Sequence, residues 1–331
     1  MSPNLYIYKV IQENLETTAI IRTIRNRNGS RKSSSTVVCD EPEVQTSPPV
    51  SMSSNERFPE PERIRDRGDK FLNKNIAFFD SGIGGLTVMY KALQQFPEEQ
   101  FLYYADTLHV PYGTKSADEV RGHIFDCVEA IVQEKVQAIV IACNTATSLA
   151  VKDLRVKYDI PIIGMEPAVK PAVEMNRNSG KRVLVFATAL TLSQTKYNEL
   201  VSRVDDHHSV DSIALPELVE WCEQLHFDPT QVANYFRSKL ASLDLHAYGT
   251  VVLGCTHYPF YTSILRTVLP GHIQIIDGST GTVKHLKQRL GLVAQHGGRM
   301  GKQVTFLSSS GRPEEQEKMS RALEYLEKSD M

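Results

Sequence analysis

The 331-residue chain contains no run of about 18 apolar residues, so no transmembrane helix is expected. Its early apolar stretch, residues 5–11, is short and interrupted by Lys9. That makes a poor secretory signal, and the expected location is the cytoplasm. An excess of positive charge is also missing. Lys and Arg number 37 against 39 Asp and Glu, a formal charge of -2, so no basic field exists to gather nucleic acid. Cysteines are few: the five, at 39, 127, 143, 222 and 255, are odd in number, widely spaced and never in C-x-x-C. This argues against a disulfide framework and a thiolate zinc site, so reduced thiols and no metal are expected. What is present, 41% hydrophobic and 23% charged residues, is ordinary globular composition at a length that suits two domains.

Residues 1–74 stand apart. SRKSSS, TSPPVSMSSN and PEPERIRDRGDK carry no sustained apolar period, so this segment is expected to be a disordered extension, with Met52 an alternative start. From Asn75 short apolar runs alternate with amphipathic segments, the pattern of a parallel sheet covered by helices. Strands are expected at 75–79, 101–105, 138–142, 161–163, 182–187, 251–254 and 273–276, and helices at 117–133 and 191–201 among others. An internal echo organises them. AIVIACNTAT (138–147) resembles TVVLGCTHYP (250–259), and NIAFFDSG corresponds to RVLVFATA. The reading is an α/β protein of two pseudo-symmetric domains with mainly parallel sheets. Ligands of open α/β sheets bind outside the carboxyl ends of the strands, so each half would carry a cysteine at its ligand-binding edge, with the active site between the halves.

Several segments bear chemistry. Asp80-Ser81-Gly82-Ile83-Gly84-Gly85-Leu86 follows a strand and opens a helix, so its glycines permit a tight turn and let N–H groups reach an anion. A dinucleotide fingerprint is the rival, but G-x-G-x-x-G counted from Gly82 ends on Thr87, and Asp80 would repel a pyrophosphate. Val110-Pro111-Tyr112-Gly113 is a turn by composition. Cys143 precedes Asn144 and Thr145, two good N-cap residues, before a helix expected from Ala146. A thiol there has its thiolate favoured by the helix dipole. Cys255 is followed by Thr256 and His257, and His exchanges protons near neutral pH. A lone cysteine is usually a small core hydrophobe, and Cys39, Cys127 and Cys222 are read that way. A cysteine hydrolase would leave the second matched thiol unexplained. Two facing thiols suit inversion of a carbon centre, one as thiolate base and one as thiol acid, exchanging roles in the reverse direction.

DSGIGGL, YYADT followed by VPYG, ACNTAT and VVLGCTHYP, in that order and spacing, resemble the cofactor-independent glutamate racemases over about residues 75–291. The resemblance implies that Cys143 removes the α-proton of D-glutamate and Cys255 that of L-glutamate. It implies Asp80 as the aid of Cys143 and a binder of the ammonium group, and His257 with an acidic residue as the aid of Cys255. Ser81, Tyr112, Gly113, Asn144, Thr145, Thr188 and Thr256 would hold the substrate, with Asp106 supporting from behind. The acidic partner falls in PELVEWCEQ (216–224), where Glu217, Glu220 and Glu223 are available and the end of the segment favours Glu223. The implied domains are 75–170 with 283–293, and 171–282, leaving 294–331 as a C-terminal tail. The implied partner is glutamate, a precursor for peptidoglycan in its D-form; no cofactor, nucleic acid or membrane is implied, and a homodimer is left open. Three alternatives stay open: a racemase or decarboxylase of the same superfamily acting on another small acid, a pyridoxal enzyme, and a catalytically silent regulatory or nucleotide-binding module.

Overall fold

In a computed structural model of the chain the described residues are 75–205, 208–294 and 304–329. The expected extension, residues 1–74, lies outside them, as does the stretch 295–303 of the expected tail.

Two parallel sheets form the frame. The first contains β1 (Ile76–Asp80), β2 (Phe101–Ala105), β3 (Ala138–Ile141), β4 (Ile162–Gly164) and β9 (Val304–Ser308), in the order β4-β3-β1-β2-β9. The second contains β5 (Arg182–Ala187), β6 (Val210–Ala214), β7 (Tyr248–Leu253) and β8 (Gln274–Asp277), in the order β6-β5-β7-β8. Every pairing is parallel. Set β1 on β5, β2 on β6, β3 on β7 and β4 on β8, and the four-strand orders coincide. The sequence echo is therefore a repeated topology, and the expectation of two pseudo-symmetric α/β units is borne out.

These strands form because their residues alternate between two apolar environments. In the first sheet Ala77, Phe79, Leu102, Tyr104, Ile139 and Ile141 face a core closed by Val120, Ile124, Val128 and Ile131 of α2 (Ala117–Gln133) and by Ala146, Ala150 and Leu154 of α3 (Asn144–Lys157). The intervening Phe78, Tyr103 and Val140 join a second core that continues through Leu184, Phe186, Val251 and Leu253 of the other sheet. Helix α2 begins where Ser116 accepts a hydrogen bond from Glu119 N at 3.3 Å. It buries one stripe at helical spacing, and Asp118 and Glu119 sit in its first turn, where the dipole favours negative charge.

The remaining helices are α1 (Leu86–Gln95), α4 (Val169–Asn176), α5 (Ala189–Ser193), α6 (Thr195–Val204), α7 (Pro216–Glu223), α8 (Pro229–Leu240), α9 (Thr262–Val268), α10 (Ser279–Leu290) and α11 (Pro313–Ser329). Helix α10 ends on Gly291 at φ 62, the left-handed conformation that glycine adopts at least cost. It packs back on α1 and β4 of the first sheet. Among the described residues no helix is long and apolar enough to cross a membrane.

Three expectations need correction. Strands β6 and β9 were not anticipated, because VDSIA and VTFLS are only partly buried and lack a continuous apolar run. The helix expected at 191–201 is two, divided at Gln194, which has extended backbone (φ -71, ψ 134). The described part of the expected tail is integral to the fold, with β9 paired to β2 and α11 packed on α1 and β9.

Candidate active site

Both motif cysteines stand two residues beyond the last residue of equivalent strands, Cys143 after β3 and Cys255 after β7. They line one cavity of about 260 Å³ together with Ser81, Tyr112, Gly113, Asn144, Thr145, Thr188, Thr256 and His257. The sequence-predicted binding residues other than Asp80 thus line it together. Asp80 and Glu223 stand behind this wall, bonded to residues that form it.

Cys143 is itself the N-cap of α3: its Sγ accepts from Ala146 N at 3.4 Å. This corrects the assignment of Asn144 and Thr145 as caps, both of which are helical. The extended backbone of Cys143 (φ -62, ψ 123) turns its sulfur over the first turn. The helix N-terminus alone would favour thiolate, but the side chain is buried. Burial first and the charge of Asp80 next push the thiol's pKa well up, against the Ala146 N–H. Cys143 is therefore held as a thiol, with Ser81 Oγ 3.9 Å from its sulfur.

The other side is built differently. Cys255 Sγ lies 3.6 Å from His257 Nδ1, and His257 Nε2 lies 2.8 Å from Glu223 Oε1. An ionised carboxylate only accepts, so Nε2 carries a proton and Nδ1 is the atom that can take the cysteine proton. Burial opposes a charged imidazole, yet the bonds to Cys255 and Glu223 outweigh it and raise the pKa of His257 well above its usual value. Burial likewise opposes charge on Glu223, and His257, Lys318 and the Ile83 N–H overcome it, holding the carboxyl below the ordinary range. The arrangement sets an imidazolium between the Cys255 sulfur and the Glu223 carboxylate.

The turn after β1 makes room for this. Ile83 N donates to Glu223 Oε1 at 2.8 Å, and Gly82 N donates to Asp80 Oδ1 at 3.1 Å. The anions expected at this turn are thus the protein's own carboxylates. A Cβ on Gly82 would overlap Glu223 Oε1 and stand 2.7 Å from its Cδ, and one on Gly84 would stand 2.5 Å from His257 Nδ1. These two glycines are required by close approach. Tyr103 closes the turn from below, its hydroxyl donating to Gly82 O at 2.7 Å.

Asp80 is wholly buried, and its Oδ2 accepts from Thr256 Oγ1 at 3.0 Å. Burial pushes its pKa from the ordinary 3.8 up to about 6, against His257, the Gly82 N–H and Thr256. Thr145 Oγ1 lies 3.3 Å from Thr188 Oγ1 and 2.9 Å from Thr191 Oγ1, tying the two halves across the cavity. Gly113 allows the Tyr112 turn to meet Thr188, whose Cβ would lie 3.0 Å from an added Cβ. Asp106 accepts from the buried Tyr112 hydroxyl at 2.6 Å and lies 2.8 Å from His109 Nδ1. It thereby fixes a wall residue without lining the cavity.

Of the three candidate glutamates, Glu223 meets His257. Glu220 lines the cavity mouth, and Glu217 turns away to Tyr235 and Lys239. Sequence reasoning missed Thr191, Tyr103 and Lys318. Lys318 lay in a segment that no motif covered, and only its 3.1 Å approach to Glu223 Oε2 reveals it.

Two α/β halves that each present a cysteine to a shared cavity define the class of this protein. A family model for Asp/Glu/Hydantoin racemase matches residues 86–286, and the chain belongs to that family of isomerases. Its relatives include glutamate racemase of Halothermothrix orenii, 50% identical over 240 residues that cover 72% of this chain and 94% of that protein. Glutamate racemase 2 of Bacillus subtilis is 47% identical over 246 residues, covering 74% and 92%. Escherichia coli glutamate racemase, solved in complex with L-glutamate and the activator UDP-MurNAc-ala, superposes with a TM-score of 0.65 at 28% identity, covering 76% and 96%. The family resemblance drawn from the four motifs is borne out.

Proposed function

We propose that the chain interconverts L- and D-glutamate by two-base proton transfer at the α-carbon. In the L-to-D direction the Cys255 thiolate takes the α-proton and the Cys143 thiol supplies one to the opposite face. In reverse the roles exchange. The observation that carries this reading is the pair of cysteines at equivalent strand ends on one cavity, each with different polar neighbours. Cys143 is held as a thiol by burial and Asp80, while Cys255 is set against His257 at 3.6 Å.

A cavity of about 260 Å³ falls below the roughly 300–1,000 Å³ that receives drug-sized ligands, which favours a small acid over a nucleotide. Ser81, Asn144, Thr145, Thr188 and Thr256 supply hydroxyl and amide groups for the carboxylates and ammonium, and Tyr112 and Gly113 the floor. Asp80 favours Cys143 as acid and draws the ammonium group, while His257 and Glu223 hold the proton that Cys255 gives up. The domains are kept as 75–170 with 283–293, and 171–282, with 304–308 added to the first through β9. The role that follows is supply of D-glutamate for peptidoglycan in the cytoplasm.

Circular dichroism of the purified protein with each glutamate enantiomer and no added cofactor tests the reading. Decay of both signals toward zero is expected, and a static signal for both refutes it. Discrimination against aspartate rests on one methylene, roughly 1–3 kcal/mol, so the same measurement on aspartate decides between glutamate and another small acid.

A further inference from the structure

We propose that Lys318, on the C-terminal helix beyond the family match, is a positioning residue for the Cys255 half of the reaction: it clamps the Glu223 carboxylate in the orientation that holds His257. This rests on the two-base reading above. Lys318 Nζ lies 3.1 Å from Glu223 Oε2, and Glu223 Oε1 is already taken by His257 Nε2 and Ile83 N, each at 2.8 Å. The two oxygens are thus divided, one for the catalytic histidine and one for the lysine.

Without the lysine, Oε2 would be a buried anionic oxygen with no cation, on a side chain only 12% exposed. Such an oxygen either draws the carboxylate toward water or takes up a proton. The other titratable groups near the carboxylate supply no counter-charge. Asp80 is itself an acid, burial keeps the neighbouring Cys222 a neutral thiol, and Glu315 shares Lys318 at 2.8 Å. Lys318 is thus the cation that faces Glu223 from outside the catalytic line, and it contributes to keeping Glu223 ionised.

The helix is placed firmly enough for this. α11 buries Met319, Ala322 and Leu326, and Tyr325 stacks on Phe227 at 4.1 Å between ring centroids. Since α11 also packs on α1, the helix that follows the Asp80 turn, one element steadies both the carboxylate and the turn that receives it.

The test is Lys318→Met, which keeps the aliphatic stem, beside Lys318→Arg, which restores the charge, and Lys328→Met on the same helix, whose partner is the exposed Glu324. Each is assayed with L- and D-glutamate deuterated at the α-carbon. Enantiomers have equal free energy in water, so kcat/KM must fall equally in both directions, by about tenfold if one pKa unit of support is lost. The isotope effects separate the halves. Slowing the Cys255 step raises the primary effect with deuterated L-glutamate, whose deuteron Cys255 removes, and lowers it toward unity with deuterated D-glutamate. Lys318→Arg should recover most of the loss, and Lys328→Met should match the wild type. An equal loss with unchanged isotope effects would make α11 a purely structural support and overturn the proposal, as would a Lys318→Met enzyme with full activity. A wild type that does not interconvert glutamate would remove the site reading itself, a result visible before any variant is compared.

Discussion

Replacing Gly82 with alanine adds one methyl group, a change that usually stabilises a protein by about 0.4–1 kcal/mol where the backbone tolerates it, by restricting the unfolded chain. Here the sign should reverse. The new Cβ would overlap Glu223 Oε1, stand 2.7 Å from Glu223 Cδ and 3.0 Å from Val110 Cγ2. The carboxylate is the end of a flexible side chain, but three partners hold it: Ile83 N, His257 Nε2 and Lys318 Nζ. Moving it strips a buried imidazolium of its counter-charge, and breaking a buried pair costs about 3–5 kcal/mol. After the entropic gain, Gly82→Ala should lose roughly 2–4 kcal/mol. Turnover should fall by about 10²–10⁴, the usual share of a positioned acid–base group. Gly122→Ala is the matched control, because its Cβ meets nothing within 4 Å on α2, and it should gain about 0.5–1 kcal/mol. Urea unfolding with unchanged m-values reads the stability, and circular dichroism of glutamate reads the turnover. A Gly82→Ala protein as stable and as active as wild type would refute the close-approach argument.

Cys143→Ser and Cys255→Ser should each fold normally and lose roughly 10²–10⁴ in turnover, since a serine hydroxyl cannot act as the base; near-native racemisation by either variant, or equal damage from Cys127→Ser, returns the cysteines to the core. Glu223→Gln should lower kcat for L-glutamate far more than Glu220→Gln, because Glu223 bonds His257 at 2.8 Å while Glu220 only lines the cavity, and the opposite ranking moves the role to Glu220. Asp80 predicts a pH effect of definite sign: its pKa rises on folding from 3.8 to about 6. Between those values the folded state keeps a proton that the unfolded chain has lost, so this contribution is full below about 4 and disappears as pH climbs through about 6. Relative to Asp80→Asn, wild-type stability should decline by on the order of 2–3 kcal/mol from pH 4 to 7, and a flat difference in urea midpoints across that range contradicts the assignment.

Most strands were legible because buried parallel strands read as apolar runs. Each of the seven expected strands is present within a few residues, and the cysteine-centred echo led to the repeated topology. Strands β6 and β9 escaped because partly buried edge strands need no continuous apolar run: among the described residues VDSIA pairs only with β5 and VTFLS only with β2. The thiol environment was legible only in kind. Sequence put Cys143 near a helix N-terminus, but the balance between the dipole and burial depends on how deep the sulfur lies, which no spacing encodes. Glu223 was favoured over Glu220 by position in its segment alone. The reason for the choice is three-dimensional, because residues three apart on α7 share a face, yet only Glu223 is reached by the Ile83 N–H across the glycine turn.

The near-symmetry of the fold and the asymmetry of its site follow from one requirement. In the proposed two-base scheme, inversion at a carbon needs an acid and a base on opposite faces, and a repeated half with a cysteine after its third strand would deliver two at little cost in new sequence. The proposed substrate has no matching symmetry, since its ammonium group and its two carboxylates are not related to one another as the two halves are. The supporting residues must therefore differ where the cysteines agree. By strand register Asp80 of β1 corresponds to Ala187 of β5, because Phe79 pairs with Ile141 as Phe186 pairs with Leu253. A carboxylate at one strand end is thus replaced by a methyl group at the other. The acid absent from the end of β5 is supplied from α7 of the same half as Glu223, which bonds His257 and is reached by Ile83 N of the first half's glycine turn. Each cysteine is consequently tuned by groups from both halves: Cys143 by Asp80 with Thr256 bonded to it, and Cys255 by His257 with Glu223 held at Ile83 N. A movement that opened the cleft would break Thr256–Asp80 and Glu223–Ile83 together, so the same hydrogen bonds that close the cavity also hold the two carboxylates beside its thiols.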